Sequence, residues 1–304
     1  MNKNNMSKGK QQQIKITDLP SLLKETYTTW MAEDPFHHSA VVAYYSILSL
    51  PGLMVLIINV VGFIWGKDIV SGRLNDEIGI TIGPEVAKAV QEMVANSMRD
   101  DQSNFATGLG LIVLIYGATG VFYQLQKTLN RFWKVKLDPK AKWSRLLFDR
   151  AQSFGFILVI AFLLLISMVI SAGLNEMNRF LERIFSDFTV VLIYGINIIV
   201  SLGIITCLFA MMFKYLPDAK IAWKSVWVGA FLTAFLFIIG KFLLGIYFGA
   251  SDPASAYGAA GSIILILLWI SYSSLILFFG AKFTYVYAKR YGDMTPQKHA
   301  MKVE

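Results

Sequence analysis

Six stretches of this 304-residue chain are long and apolar enough to cross a lipid bilayer as helices. A helix needs about 20 apolar residues to span roughly 30 Å of hydrocarbon. Hydrophobic residues make up 55% of the chain and charged residues only 16%, which leaves little polar surface for a soluble fold. We therefore predict an all-α integral membrane protein built as a six-helix transmembrane bundle. The predicted spans are residues 39–65, 107–123, 152–173, 189–213, 223–248 and 259–287.

Lysine and arginine are distributed unevenly among the loops. Of the 28 such residues, 20 fall in the N-terminal segment, the second and fourth loops and the C-terminal tail, and 6 fall in the other loops. Cytoplasmic loops are the ones enriched in these residues. We expect both termini in the cytoplasm, with residues 1–38 as an N-terminal segment, 39–288 as the transmembrane domain and 289–304 as the tail. The net charge of +8 then indicates orientation rather than nucleic-acid binding.

Three segments outside the spans show an amphipathic helical pattern. After a polar start that predicts disorder (residues 1–17), apolar residues from Asp18 recur at helical spacing and predict a helix lying in the membrane interface. Segments 84–98 and 174–188, in the outside loops, predict two further helices that cap the bundle. All three are expected to pack or anchor rather than to bind a ligand.

The second loop, residues 124–151, is the most basic part of the chain, with eight bases, two acids and two tryptophans. Such residues beside a membrane set its orientation, and they also attract the anionic lipids of the cytoplasmic leaflet. Both interpretations stay open here, with a protein partner as the third. The candidate headgroup-contacting residues are Arg131, Trp133, Lys134, Lys136, Trp143 and Arg145.

Polar and helix-breaking residues inside the spans mark a candidate transport pathway. Lys241 lies within the fifth span, where it either faces a cavity or extends its long stem toward the headgroups. Pro51 removes a backbone hydrogen bond in the first span and predicts a kink, which is either structural or part of a polar path. Lys282, near the end of the sixth span, is expected to extend toward the cytoplasmic headgroups. The pathway candidates are Lys241, Pro51, Asn59, Tyr45 and Asn197.

No set of residues suited to catalysis appears in the sequence. The chain has three histidines and the single Cys207, and none of them stands at metal-ligand spacing. No pair of carboxylates lies inside a span. We therefore predict no catalytic residues, no metal, no cofactor and no enzymatic activity.

Several segments in order resemble the YihY/BrkB family of bacterial inner-membrane proteins. They read AVVAYYSILSLPGLMVLI, GVFYQLQKTLNRFWKVK, IGKFLLGIYFG and YGAAGSIILILLWISYSSLILFFGAKFTYVYA. The resemblance covers nearly the whole chain. It implies a six-helix bundle in the bacterial inner membrane with cytoplasmic ends, in agreement with the loop charges.

The resemblance also bears on individual residues. Asn130, Arg131 and Trp133 match the family's LNRxW motif, and Lys241 matches the lysine of its GK-aromatic-LxG motif. Lys282 departs from the family, which usually has GAE where this chain has GAK. Any proton or cation coupling by that acid would therefore be lost here.

Family members are proposed exporters of lipids or compatible solutes, or resemble envelope-resistance factors. We accordingly expect a transporter of an amphiphile or a small osmolyte, with a non-transporting scaffold for envelope assembly as the alternative. Some members carry a ribonuclease label. That chemistry requires a zinc-binding cluster of histidines and aspartates, which this sequence lacks. The chain is also compatible with a homo-oligomer.

Overall fold

The structure is a computed structural model that describes residues 18–49, 72, 88, 91–92, 120–137, 187–251, 261–291, 294–296 and 300–302. The helices in these ranges are α1 (Leu19–Met31), α2 (35–49), α3 (120–132), α4 (Asp187–Tyr215), α5 (Trp223–Ser251) and α6 (Gly261–Tyr291). The short strands are β1 (Val135–Leu137), β2 (Ala219–Ile221), β3 (Met294–Pro296) and β4 (Ala300–Lys302).

Three of the described helices are long and apolar enough to cross a membrane. Their apolar windows are Ile198–Tyr215, Trp223–Phe248 and Ile263–Tyr291. They correspond to the last three predicted spans, so the prediction of long apolar helices is confirmed there. The third predicted span lies outside the described residues, as do most of the first and second. Four predicted site residues also lie outside them, namely Pro51, Asn59, Trp143 and Arg145.

Helices α5 and α6 run antiparallel and approach closely through a reciprocal pair of contacts. A Cβ atom on Gly229 of α5 would overlap the side chain of Thr284 on α6. Conversely, a Cβ atom on Gly280 of α6 would overlap Thr233 of α5. Each threonine hydroxyl donates to the glycine carbonyl one turn earlier in its own helix, at 2.7 and 2.8 Å. This matches the small-residue packing that brings helices together where lipid supplies no hydrophobic driving force.

The structure adds two features to the predicted helical bundle. The sequence predicted a loop from residue 124, but α3 continues to residue 132. Its buried residues, among them Leu125, Thr128, Leu129 and Phe132, recur at helical spacing and hold the helix against its neighbours. The fold is also not purely helical, because β1 pairs antiparallel with β4 and β2 with β3.

Helix α1 is present as predicted, but it packs on protein. Its buried side chains are Leu22, Thr26 and Trp30, one turn apart, and the Trp30 ring meets Phe279 of α6 edge-on with centroids 5.6 Å apart. Tyr27, another apolar residue of this helix, is exposed. Sequence spacing alone does not reveal that the end of α6 covers the Trp30 side of the helix.

Described parts of four basic segments come together at one end of the helices. Helix α1 lies against α6, and the two tail strands β3 and β4 pair with the connections that follow α4 and α3. In the described residues, α1, the starts of the two basic connections and the tail strands therefore lie at one end, in agreement with the one-sided distribution of lysine and arginine. We call it the basic end.

Candidate functional site

One face of α5 is exposed and apolar along the whole length of the helix. Its residues recur every three or four positions and are each at least 40% exposed. They are Trp223, Trp227, Phe231, Phe235, Ile239, Phe242, Leu243, Ile246 and Tyr247. Such a continuous face suits lipid acyl chains, because a soluble protein rarely exposes an apolar surface of this extent. We call it the lipid-facing stripe.

Lys241 lies on the side of α5 away from this stripe. It is half-buried and follows Phe237 by one turn, and the Phe237 ring packs on Trp269 of α6 with centroids 5.9 Å apart. The adjacent Gly240 is close enough to α6 that a Cβ atom would overlap Tyr272. The helical period therefore places Lys241 on the inward side of α5, where a charged group in a membrane protein usually faces protein or water.

The other described pathway candidates stand on different helices. Tyr45 belongs to α2, and its ring lies against Gly120 at the start of α3, where a Cβ atom would be 2.6 Å from the ring. Asn197 is a residue of α4. The structure thus distributes Lys241, Tyr45 and Asn197 over three helices.

Asn130 and Asp218 join α3 to the connection between α4 and β2. The Asn130 Nδ2 donates to Asp218 Oδ2 at 2.8 Å, and the Asp218 backbone N–H donates to Asn130 Oδ1 at 2.8 Å. A further, longer bond of 3.4 Å runs from Gln126 Nε2 to the same carboxylate oxygen. Both Asn130 and Asp218 are buried. This reciprocal pairing explains why an asparagine suits the motif position, since its amide donates and accepts at once.

Trp133 was expected to anchor in the headgroup region, and that expectation is wrong. Its side chain is completely buried, and its indole Nε1 donates to the Ala281 carbonyl of α6 at 2.8 Å. The same ring meets Phe213 of α4, with centroids 6.5 Å apart. An indole carries one donor on a large apolar ring, so it can fill this space only where its N–H finds an acceptor. Trp133 therefore joins α4 and α6.

Lys282 is likewise buried rather than extended toward the headgroups, contrary to the sequence expectation. It is 1% exposed, and its Nζ donates to the Phe132 carbonyl at 3.2 Å. The carboxylate of Glu33 lies 3.5 Å away and also accepts from Arg131 Nε at 2.9 Å. The Phe132 and Tyr285 rings flank the ammonium at 5.6 and 5.2 Å. A buried charge requires such partners, and Glu33 supplies the opposite charge.

Two of the remaining described headgroup candidates, Arg131 and Lys134, are exposed at the basic end. The Arg131 side chain is 55% exposed beyond its bond to Glu33. Lys134 is exposed and adopts a left-handed backbone (φ 54°) where the chain leaves α3. Lys136 is the middle residue of β1.

A polar cluster around His38 connects α2 to α3. The His38 Nδ1 lies 3.4 Å from both Gln124 Nε2 and Thr128 Oγ1, and all three side chains are buried. Burial lowers the pKa of the His38 imidazole, and the Arg131 guanidinium lowers it further. Among the described residues, no hydrogen-bond acceptor or donor meets His38 Nε2.

Three of these residues were missed by the sequence reasoning. Glu33 and Asp218 carry the acids that hold the basic end together, and His38 lies at the α2–α3 contact. Asp218 could have been noticed as the one acid between Lys214 and Lys224. For Glu33 no local signal exists, because its partner Lys282 is 249 residues away.

Within the described ranges, no three His, Cys, Asp or Glu side chains converge on a point where a metal ion could bind. The residues at the basic end instead form donor and acceptor pairs between helices. These pairs attach neighbouring helices to one another.

Comparison with known proteins gives relatives that include UPF0761 membrane proteins and a ribonuclease-like protein. A protein of Saccharophagus degradans described as a UPF0761 membrane protein is 26% identical over 83% of this chain and 56% of its own length. A UPF0761 membrane protein of Teredinibacter turnerae is 26% identical over 81% of this chain and 55% of its own. The chain thus spans about half the length of these two relatives. The ribonuclease-like protein YfkH of Bacillus subtilis is 20% identical over 89% of this chain and 96% of its own. No solved structure matches.

A family model extends this likeness across most of the chain. The model described as virulence factor BrkB matches residues 26–304. The matched region includes the three long apolar helices and every inter-helix contact described above except those that reach residues 18–25. The chain is therefore a membrane protein that belongs to the BrkB family.

Proposed function

We propose that this protein transports an amphiphile with an anionic group, or a small osmolyte, across the bacterial inner membrane. The observation that carries the proposal is the position of Lys241. An ionisable residue inside a membrane helix is costly and is found where it lines a polar path or meets a partner. On α5 it lies opposite the lipid-facing stripe, so the bulk lipid is not its natural surrounding.

In this proposal the basic end is cytoplasmic and both termini lie on that side. The loop charges support the orientation through the enrichment of lysine and arginine on the inner side. The exposed Arg131 and Lys134 are the proposed contacts for anionic lipids of the inner leaflet. No reaction chemistry is assigned to the protein.

A flux measurement in proteoliposomes tests the proposal. Vesicles of phosphatidylglycerol and phosphatidylcholine would contain either a trace of fluorescently labelled phosphatidylglycerol or radiolabelled glycine betaine. Flipping of the labelled lipid is measured with dithionite added outside the vesicles, and efflux of the solute is measured by filtration. We expect one of the two rates to exceed that of protein-free vesicles, and Lys241→Met to abolish the excess.

A neighbouring substitution provides the matched control. Phe242 is 67% exposed on the lipid-facing stripe, so Phe242→Met introduces the same side chain one position away without touching the inward face. It should leave both the rate and the folded yield unchanged. If vesicles with and without the protein give equal rates for both probes, the proposal that the protein transports these two classes is wrong. The alternative, a non-transporting scaffold for envelope assembly, is then favoured.

Ribonuclease activity, which the name of YfkH suggests for that protein, lies outside our proposal. Hydrolysis of this kind by a metal mechanism requires several ligands around one point. RNA cleavage by the purified chain, surviving removal of contaminating nucleases, would contradict this part of the account.

A further inference from the structure

The connection between α4 and α5 has an unusually cationic surface. Lys214 lies in the last turn of α4, Lys220 is the exposed middle residue of β2 and Lys224 is exposed in the first turn of α5. The one acid between them, Asp218, is 8% exposed and turned inward, where it is bonded to Asn130. The surface of this connection therefore shows positive charge without a compensating carboxylate of its own.

Three aromatic rings lie at the same connection, and one of them is beside Lys214. The Trp223 ring lies between Tyr215 and Trp227, with centroid distances of 6.1 and 6.2 Å. All three side chains are between 43% and 45% exposed. Lys214 holds the middle ring in place, because its Nζ donates to the Ile221 carbonyl and lies 5.3 Å from the centre of the Trp223 ring.

The same rings begin the lipid-facing stripe. Trp223 and Trp227 are followed at four-residue steps by Phe231 and Phe235, each at least half exposed. The change from lysine to tryptophan to phenylalanine along one face follows the change from headgroup to interface to acyl chain in a bilayer. Tryptophan concentrates at that interface because its ring is apolar and its N–H is polar.

We propose that Lys220, Lys224, Trp223 and Trp227 form a binding site for the headgroup of an anionic phospholipid. The two lysines bind the headgroup phosphate, and the two indole rings lie alongside the glycerol and upper acyl region. The continuity with the stripe selects a membrane lipid over a free anion, since a free anion gains nothing from the exposed rings. This inference concerns the α4–α5 connection and is independent of whether Lys241 serves transport.

Thermal unfolding of the purified protein in a neutral detergent tests the site. Phosphatidylglycerol, phosphatidylcholine and inorganic phosphate would be titrated separately. We expect phosphatidylglycerol to raise the unfolding temperature at concentrations where the other two do not. In Lys220→Gln/Lys224→Gln the half-maximal concentration should rise about tenfold, since each base near a bilayer surface adds to the attraction.

A second pair of lysines serves as the charge-matched control. Lys24 on α1 and Lys127 on α3 are exposed and belong to other elements than the tryptophan pair, so Lys24→Gln/Lys127→Gln should keep the wild-type response. A wild-type response in Lys220→Gln/Lys224→Gln would overturn the proposal. So would an equal response to phosphatidylcholine, or a response to inorganic phosphate alone that matches that of the lipid.

Discussion

Glu33, in the turn after α1, lies against Lys282 of α6, with Oε1 and Nζ 3.5 Å apart. The lysine side chain is 2% exposed and the glutamate 19%, so the pair lies at the edge of the interior. Its lysine is among the largest fully buried side chains in the structure. Because the ammonium of Lys282 is buried, the stability of the folded protein should depend on the carboxylate of Glu33.

Glu33→Gln should destabilise the protein, because it leaves the buried ammonium of Lys282 without its opposite charge. Removing one partner of a buried pair costs about 3–5 kcal/mol, and the partial exposure of Glu33 reduces this to about 1–3 kcal/mol. The measurement is the free energy of unfolding in detergent.

The double variant Glu33→Gln/Lys282→Met distinguishes this effect from general damage. With both charges gone, the stability should recover most of the loss. Arg131→Gln removes a largely exposed cation and should change the free energy of unfolding by less than about 1 kcal/mol. A double variant as unstable as Glu33→Gln alone would show that the buried charge is not the cause.

Asn130→Ala should weaken the attachment of α3 to the α4–β2 connection. It removes two bonds of 2.8 Å, one of them to the buried Asp218 carboxylate, so we expect a loss of about 2–3 kcal/mol. Lys127→Ala, an exposed change on the same helix, should stay within about 0.5 kcal/mol. Equal unfolding midpoints for the two variants would refute the role assigned to Asn130.

Gly229→Ala should force α5 and α6 apart, because the new methyl group overlaps the side chain of Thr284. Overpacking of this kind costs about 1–3 kcal/mol. Gly203→Ala is the control, since a Cβ atom there meets nothing within 4 Å. It should be neutral or stabilise the helix by up to about 1 kcal/mol. The prediction is wrong if both substitutions have the same effect on the unfolding temperature.

Below about pH 6.5, the protein should become less stable as the pH decreases, because of His38. Burial lowers the pKa of this imidazole, and the nearby Arg131 and His37 lower it further. Asp34 and Glu33 act in the opposite direction. In the unfolded chain the imidazole takes up a proton near its ordinary pKa of about 6.5, which is a higher pH than in the folded protein. The contribution of neutral His38 to the folding stability is therefore complete above that pH, and it is lost as the pH falls toward the pKa of the folded state.

The comparison is between wild type and His38→Gln at about pH 7.5 and about pH 5.5. The unfolding temperature of the wild type should decrease more between these two pH values than that of the variant, because the variant lacks the titrating group. Parallel losses in the two proteins would assign the pH dependence to other groups.

The last three spans could be predicted from the sequence because their signal is local. In α4, α5 and α6 an unbroken apolar run of sufficient length can only be a helix in lipid, since its backbone groups must bond within the segment. The shared basic end was also predictable from charge counts. These features depend on composition along the chain, which a sequence displays directly.

The site residues were harder because their roles depend on partners far away in the chain. Trp133 and Lys282 look like interfacial residues in sequence, since Trp133 follows the second predicted span and Lys282 lies near the end of the sixth, each among charged and aromatic neighbours. Their burial follows from Ala281 and Glu33, which reach them only through the packing of α1, α3 and α6. Lys241 lies within the apolar window Trp223–Phe248, and its place in a pathway stays a prediction.

Water accessibility at position 241 tests the central claim most directly. In a Cys207→Ala background, Lys241→Cys and Phe242→Cys would each be treated in intact membranes with a charged, membrane-impermeant thiol reagent. Water reaches the inward face of a transport pathway, whereas lipid covers the stripe that carries Phe242. The account predicts labelling at position 241 and none at 242. Absence of labelling at 241, or equal labelling at both positions, would contradict it.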